Sequence, residues 1–148
     1  MKFRIATWNI NSVRARIAIV EQFLQTYRPD VLCLQETKVS DDLFPAKAFK
    51  KLGYNHIAAK GQKSHHGVAT ISKFPLESIE RLDWCGKGDA RHVGVALPGG
   101  VRLENFYVPA GGDVPDAGAN EKFAHKLQFF DEMIGWSDRI SAPSILVG

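Results

Sequence analysis

Asn9 and Glu36 each close a short apolar run, and a single stretch of helical spacing lies between the two runs. A strand–helix–strand crossover makes its strands parallel neighbours with a right-handed connection. Both residues then stand at the carboxyl ends of adjacent strands, the edge on which open α/β sheets bind ligands. A carboxylate beside a carboxamide holds a hard cation and orients a phosphate. Mg²⁺ is commonly bound by a carboxylate or two, with water and substrate phosphate completing its shell. The pattern equally fits a plainer arrangement, with Asn9 and Asn11 capping the helix and Glu36 solvated. Spacing alone leaves both open.

The elements that must position these residues follow from periodicity. Residues 3–8 and 31–34 read as buried strands, and Val13, Ile17, Val20 and Leu24 share a helical face between them. Asn11 or Ser12 would cap that helix, and Pro29-Asp30 breaks it. Ser40, Asp41 and Asp42 suit the start of a second helix over 43–52, stopped by Gly53. Five further strands are expected over 54–59, 67–72, 76–82, 92–97 and 101–108, with Pro98-Gly99-Gly100 as the turn between the last two. After a loop rich in Gly, Pro and Asp, Asn120 or Glu121 opens a helix with Phe123, Leu127, Phe130 and Ile134 on one face. An apolar strand over 144–147 follows. A β-α-β-α opening followed by consecutive strands gives the α/β class with mixed sheets.

At 148 residues, 45% hydrophobic and 24% charged, the chain has the make-up of one globular domain with a real core. A net charge of +3 permits a polyanionic partner without demanding one. Cys33 and Cys85 are too few and too far apart for a disulfide framework or a metal cluster, and Cys33 reads as a buried free thiol. No secretory signal is evident, and no apolar run approaches the ~20 residues that span a bilayer. The expectation is a cytoplasmic protein with no membrane partner. An apolar strand followed by one glycine is an unusual place for a domain to finish. We therefore expect residues 1–148 to be the N-terminal part of a single domain that continues in a longer parent.

The run Thr7-Trp8-Asn9-Ile10-Asn11-Ser12-Val13-Arg14-Ala15-Arg16 resembles the opening motif of the exonuclease III family of abasic-site endonucleases. Pro29-Asp30-Val31-Leu32-Cys33-Leu34-Gln35-Glu36-Thr37-Lys38 is similar to that family's second motif. Further matches follow in order: Gly61-Gln62-Lys63 with Gly67-Val68-Ala69, then Asp89-Ala90-Arg91, then Asn105-Phe106-Tyr107-Val108-Pro109, then Lys122-Phe123. The resemblance covers the whole chain. It implies a deoxyribonuclease I-like four-layer α/β sandwich, mixed sheets flanked by helices, here incomplete, with roughly the first sheet and part of the second present.

The resemblance further implies roles for particular residues. Glu36 would be the metal ligand, and Asn9 would lie beside the metal to orient its ligands or the phosphate. Tyr107 would be the active-site tyrosine. Arg91 would pair with a DNA phosphate, with Gln62, Lys63, Lys122 and Asn11 as further backbone contacts. His65 and His66 read as surface residues near the DNA. The cofactor would be Mg²⁺, with Mn²⁺ as a substitute, and the partner double-stranded DNA carrying abasic sites or blocked 3′ ends. The expected reaction is incision 5′ to abasic sites together with 3′-to-5′ trimming in base-excision repair. The family continues into an Asp-x-Asn motif and a later Asp-His pair, which this sequence does not include. The chain alone is thus expected to be inactive and prone to aggregate, and the complete protein a monomer. Relatives acting on phosphoinositides, sphingomyelin or RNA, and a module that binds DNA without cutting it, are the competing readings.

Overall fold

A computed structural model describes residues 2–148. The elements run β1 (Ile5–Asn9), α1 (Ile17–Tyr27), β2 (Val31–Gln35), a 3-10 turn (Asp41–Leu43), α2 (Ala46–Lys50), β3 (His56–Lys60), β4 (Val68–Ser72), β5 (Glu77–Glu80), β6 (His92–Ala96), β7 (Arg102–Phe106), α3 (Glu121–Ser137) and β8 (Ser144–Val147). They build two four-stranded sheets, ordered β1-β2-β4-β3 and β5-β6-β7-β8. The β1–β2 and β7–β8 pairs are parallel, each joined across a helix, and the remaining pairs are antiparallel.

Strand alternation sorts the side chains into layers. Val31, Cys33, Ala58 and Val68 of the first sheet meet Val93, Val95, Leu97 and Leu103 of the second in one dry cluster. Leu32, Leu34, Ala69 and Ile71 point the other way, onto Val20, Leu24 and Phe49 of α1 and α2. On the far side Trp84 and Phe106 pack against Phe129 and Trp136 of α3. All four layers are thus represented, and the four strands of the second sheet fall on the segments expected over 76–82, 92–97, 101–108 and 144–147.

Two buried polar devices tie the layers. Asn105 of β7, fully buried, donates to Leu34 O (3.2 Å) and Ala69 O (3.1 Å) of the opposite sheet and accepts from Gln35 Nε2 (2.8 Å). Under α3, Leu82 N–H donates to His92 Nδ1 (3.2 Å), so Nε2 carries the proton and donates to Glu104 (2.8 Å). Arg102 Nε adds a bond to the same carboxylate at 2.7 Å. Gly94 lies opposite Glu104, where any Cβ would overlap Glu104 Oε2. Burial works to raise the Glu104 pKa, but the bonds from His92 and Arg102 outweigh it and hold the group below its ordinary value.

Several elements depart from the sequence reading. β1 is an edge strand, with Thr7 and Asn9 exposed, rather than a buried one. The first helix begins only at Ile17, and neither Asn11 nor Ser12 caps it. Residues 10–13 instead run along 35–37, through Ile10 N to Gln35 O, Ser12 N to Glu36 O and Val13 N to Thr37 O. Pro45 divides the second helix into the 3-10 turn and α2, because proline removes a donor and restricts the residue before it. β8 pairs with β7 but is largely exposed on the second sheet's edge.

Candidate functional site

The β1–β2 register places Asn9 opposite Gln35, one residue before Glu36. Here the crossover argument holds: Asn9 Nδ2 donates to Glu36 Oε1 at 3.1 Å. The third partner comes from the other sheet. Leu103, Asn105 and Tyr107 alternate onto the inter-sheet face of β7 and its continuation, and Tyr107 Oη donates to the same Oε1 at 2.7 Å. Asn105, cross-linking the sheets two residues earlier, fixes the height at which Tyr107 meets Glu36.

Lys38 is the fourth member. Its ammonium lies 3.3 Å from Glu36 Oε2 and donates to Asn11 Oδ1 at 2.6 Å. Asn9 Oδ1 accepts from Asn11 N–H at 3.2 Å, so the two asparagines, the glutamate and the lysine form one closed ring of bonds. Burial alone would raise the Glu36 pKa; the bonds from Tyr107, Asn9 and Lys38, with the Lys38 charge, outweigh it and keep the carboxylate below its ordinary value. Tyr107 is driven the opposite way, to about 12, by burial and by donating to Glu36. At neutral pH the pair is therefore carboxylate and phenol, and the phenol is a donor rather than a base.

Behind Tyr107 stands a second group. Arg91 is only 8% exposed; it donates from Nη1 to Tyr107 O (3.1 Å) and from Nε to Asp89 (3.3 Å), and its guanidinium lies 4.7 Å from the Tyr107 ring centroid. It supports the tyrosine from below instead of projecting into solvent as a free fork. Gln62 Oε1 accepts from Ala90 N–H at 3.1 Å and faces His66 Nδ1 at 3.0 Å. The His66 ring lies 6.0 Å from that of Tyr107. The 61–67 loop closes on the site because Gly67 admits Thr37 Oγ1 where a Cβ would overlap it, while Thr37 N donates to Gly67 O and Lys38 N to His66 O.

Of the residues singled out in the sequence, Asn9, Asn11, Glu36, Tyr107, Arg91 and Gln62 converge. Lys63 is exposed in the turn of the 61–67 loop, and Lys122 is exposed in the first turn of α3. Among the described residues no hydrogen bond or ion pair joins either one to the Glu36 group. Sequence reasoning missed Lys38 and Asp89 as members, and it left His66 on the surface. Lys38 had a signal, two residues beyond Glu36 in the same motif. Asp89 had one as well, two residues before Arg91 in its motif, whereas His66 had none, because only the folding of two loops onto each other brings it in.

Glu36, Lys38, Asn11, Ser12, Ser64 and His66 all have positive φ, six of the nine non-glycine residues among the described ones that do. The backbone reversals cluster where three segments meet, and each is a conformation that L-residues adopt at a cost.

These residues fit a hard divalent cation in one limited way. Glu36 Oε1 takes two donors, while Oε2 faces only Lys38 and keeps a lone pair for a metal. Among the described residues no group of three or more His, Cys, Asp or Glu stands together. The fit is therefore to a single-carboxylate site whose other ligands come from water and phosphate, a common arrangement for Mg²⁺.

Comparison with known proteins bears on the family and the fold. The chain is 44% identical to the exodeoxyribonuclease III of Haemophilus influenzae, over 100% of its own length and 56% of that protein. It therefore spans about half the length of this relative. Among solved structures, an AP endonuclease from Archaeoglobus fulgidus superposes with a TM-score of 0.84 at 34% identity, over 95% of this chain and 53% of that one. The 3′ phosphatase NExo from Neisseria, solved bound to a product DNA hairpin, gives 0.87 at 30% identity, over 99% of this chain and 57% of that one. The family model described as Endonuclease/Exonuclease/phosphatase family matches residues 6–144, and the chain belongs to that family.

Proposed function

We propose that this chain supplies the metal-holding half of an enzyme that hydrolyses phosphodiester bonds in double-stranded DNA, cutting 5′ to abasic sites and trimming 3′ ends. The observation that carries this reading is the Glu36 carboxylate, kept ionised by Asn9, Lys38 and Tyr107 on an exposed sheet edge. The DNA-repair relatives support the choice of substrate. The activity is proposed for the protein at its relatives' length.

Glu36 would hold Mg²⁺, with Mn²⁺ able to replace it, and Asn9 would orient the carboxylate toward it. The cation would neutralise charge developing on the phosphate as water attacks in line. Tyr107, a phenol at neutral pH, would donate to a phosphate oxygen or position the attacking water. Arg91 would keep the tyrosine in place. Lys63, Lys122 and Gln62 would contact the DNA backbone, and affinity would fall with added salt.

The test is incision of a duplex carrying one abasic site, with Mg²⁺ and with EDTA, by the protein at full length and by its Glu36→Gln variant. Metal-dependent incision reduced at least ~100-fold in the variant is expected. Hydrolysis of a phosphoinositide, sphingomyelin or RNA without DNA incision would assign the chain to another branch of its family. Binding of duplex with no incision would reduce it to a DNA-binding module. Mn²⁺ broadening of the Glu36 and Asn9 resonances checks the metal site in the 148-residue chain itself.

A further inference from the structure

His66 enters the site with a defined tautomer. The Ala90 N–H can only donate, so the Gln62 atom it meets is the acceptor oxygen. That same oxygen faces His66 Nδ1, which must therefore carry a proton. All titration of the ring then falls on Nε2. In the neutral ring Nε2 offers a lone pair, and a phosphodiester presents only acceptor oxygens. The two cannot bond until Nε2 takes up a proton.

The surroundings set when that happens. Asp89, 3.7 Å from Nδ1, and Glu36 favour the charged ring, while Arg91 and the neighbouring His65 oppose it. Lys38 lies behind its backbone, and Tyr107, a neutral phenol, beside it. Burial and the Arg91 charge prevail, and the ring sits below its ordinary value, neutral at physiological pH. The added negative charge of a phosphate would reverse that balance.

We propose that His66 is a proton-coupled phosphate contact, its Nε2 donating to a backbone phosphate of DNA bound over Tyr107 only after the ring has taken a proton from solvent. This rests on the reading of the site as a DNA phosphodiesterase and adds to it a pH-dependent grip that the Glu36 group does not provide.

The experiment is duplex binding by the full chain between pH 5.5 and 8, without divalent metal and at constant low salt, for the wild type, His66→Asn and His65→Asn. Asparagine tolerates positive φ and keeps an amide donor for Gln62 while lacking Nε2. The wild type and His65→Asn should lose affinity as pH rises, approaching tenfold per pH unit above the free-ring pKa, as one-proton linkage requires. His66→Asn should lack that slope. Ring resonances of wild-type His66 should also titrate at higher pH once duplex is added. Binding with the same slope in wild type and His66→Asn, or a ring titration that duplex leaves unmoved, would overturn the proposal and leave the DNA reading standing. No duplex binding by any of the three proteins would remove that reading and this inference together.

Discussion

Glu36 accepts two hydrogen bonds on Oε1 and forms an ion pair through Oε2, and its neighbours differ in what they contribute. Asn9 and Tyr107 are neutral donors on one oxygen, while Lys38 supplies charge on the other. Removing the phenol is the cleanest intervention, because phenylalanine keeps the ring over Arg91. In Tyr107→Phe the Glu36 pKa should rise toward its ordinary value, read from the side-chain carboxyl resonance against pH. A Glu36 titration unchanged by the variant would mean that Tyr107 does not hold the carboxylate. At this scale the sequence carried a good deal. Asn9, Glu36 and Tyr107 were legible because strand ends and a specific family resemblance mark them. His66 was not, since its place in the site depends on how the 61–67 loop closes. Arg91 was legible as a member but not in its setting, because residue type does not tell a buried support from an exposed fork.

Helix α3 shows where periodicity misleads. Apolar residues occupy two stripes: Phe123, Leu127, Phe130 and Ile134 on one, and Phe129, Met133 and Trp136 on the other. The sequence reading took the first as the buried face. The structure buries Phe129 and Trp136 and leaves Leu127, Phe130 and Ile134 exposed. The choice is made by His92 and Phe106 on the outer face of the second sheet, with Trp84 from the loop between β5 and β6, in edge and tilted aromatic contacts. A helix period cannot report which stripe finds a matching surface. Phe129→Ala should accordingly cost about 3–5 kcal/mol in urea unfolding. Ile134→Gln and Leu127→Gln should stay within about 0.5 kcal/mol of the parent. The reverse ranking would restore the sequence reading of this face. The late start of α1 has a related cause: residues 10–13 bond to 35–37, and a local capping pattern carries no information about such distant partners.

For the whole molecule, the α/β class with mixed sheets was readable from the β-α-β-α opening and the run of strands; the four-layer sandwich came from the family resemblance, and the exposed edge of the second sheet was not legible. That sheet depends on β8, whose exposed residues look from sequence alone like core. Acid should unfold the molecule through its depressed carboxylates. Glu36 and Glu104 both titrate below the ordinary carboxylate range in the fold. Their ionised forms thus add stability above the unfolded pKa of about 4.3, and that contribution disappears as pH falls through the lower folded values. The thermal midpoint should be nearly level close to neutrality and drop below about pH 4; a midpoint that rises on acidification there would contradict this assignment. The crowding of left-handed backbone around Glu36 carries a consequence of another kind. Each such residue costs of order 1–3 kcal/mol, so glycine at Ser12, Glu36 or His66 would relieve the backbone while dismantling the cleft. A population of variants selected only for resistance to heat would therefore lose this cleft early and keep its core, and the cleft's persistence in a stable variant would itself be a mark of selection for what the cleft does.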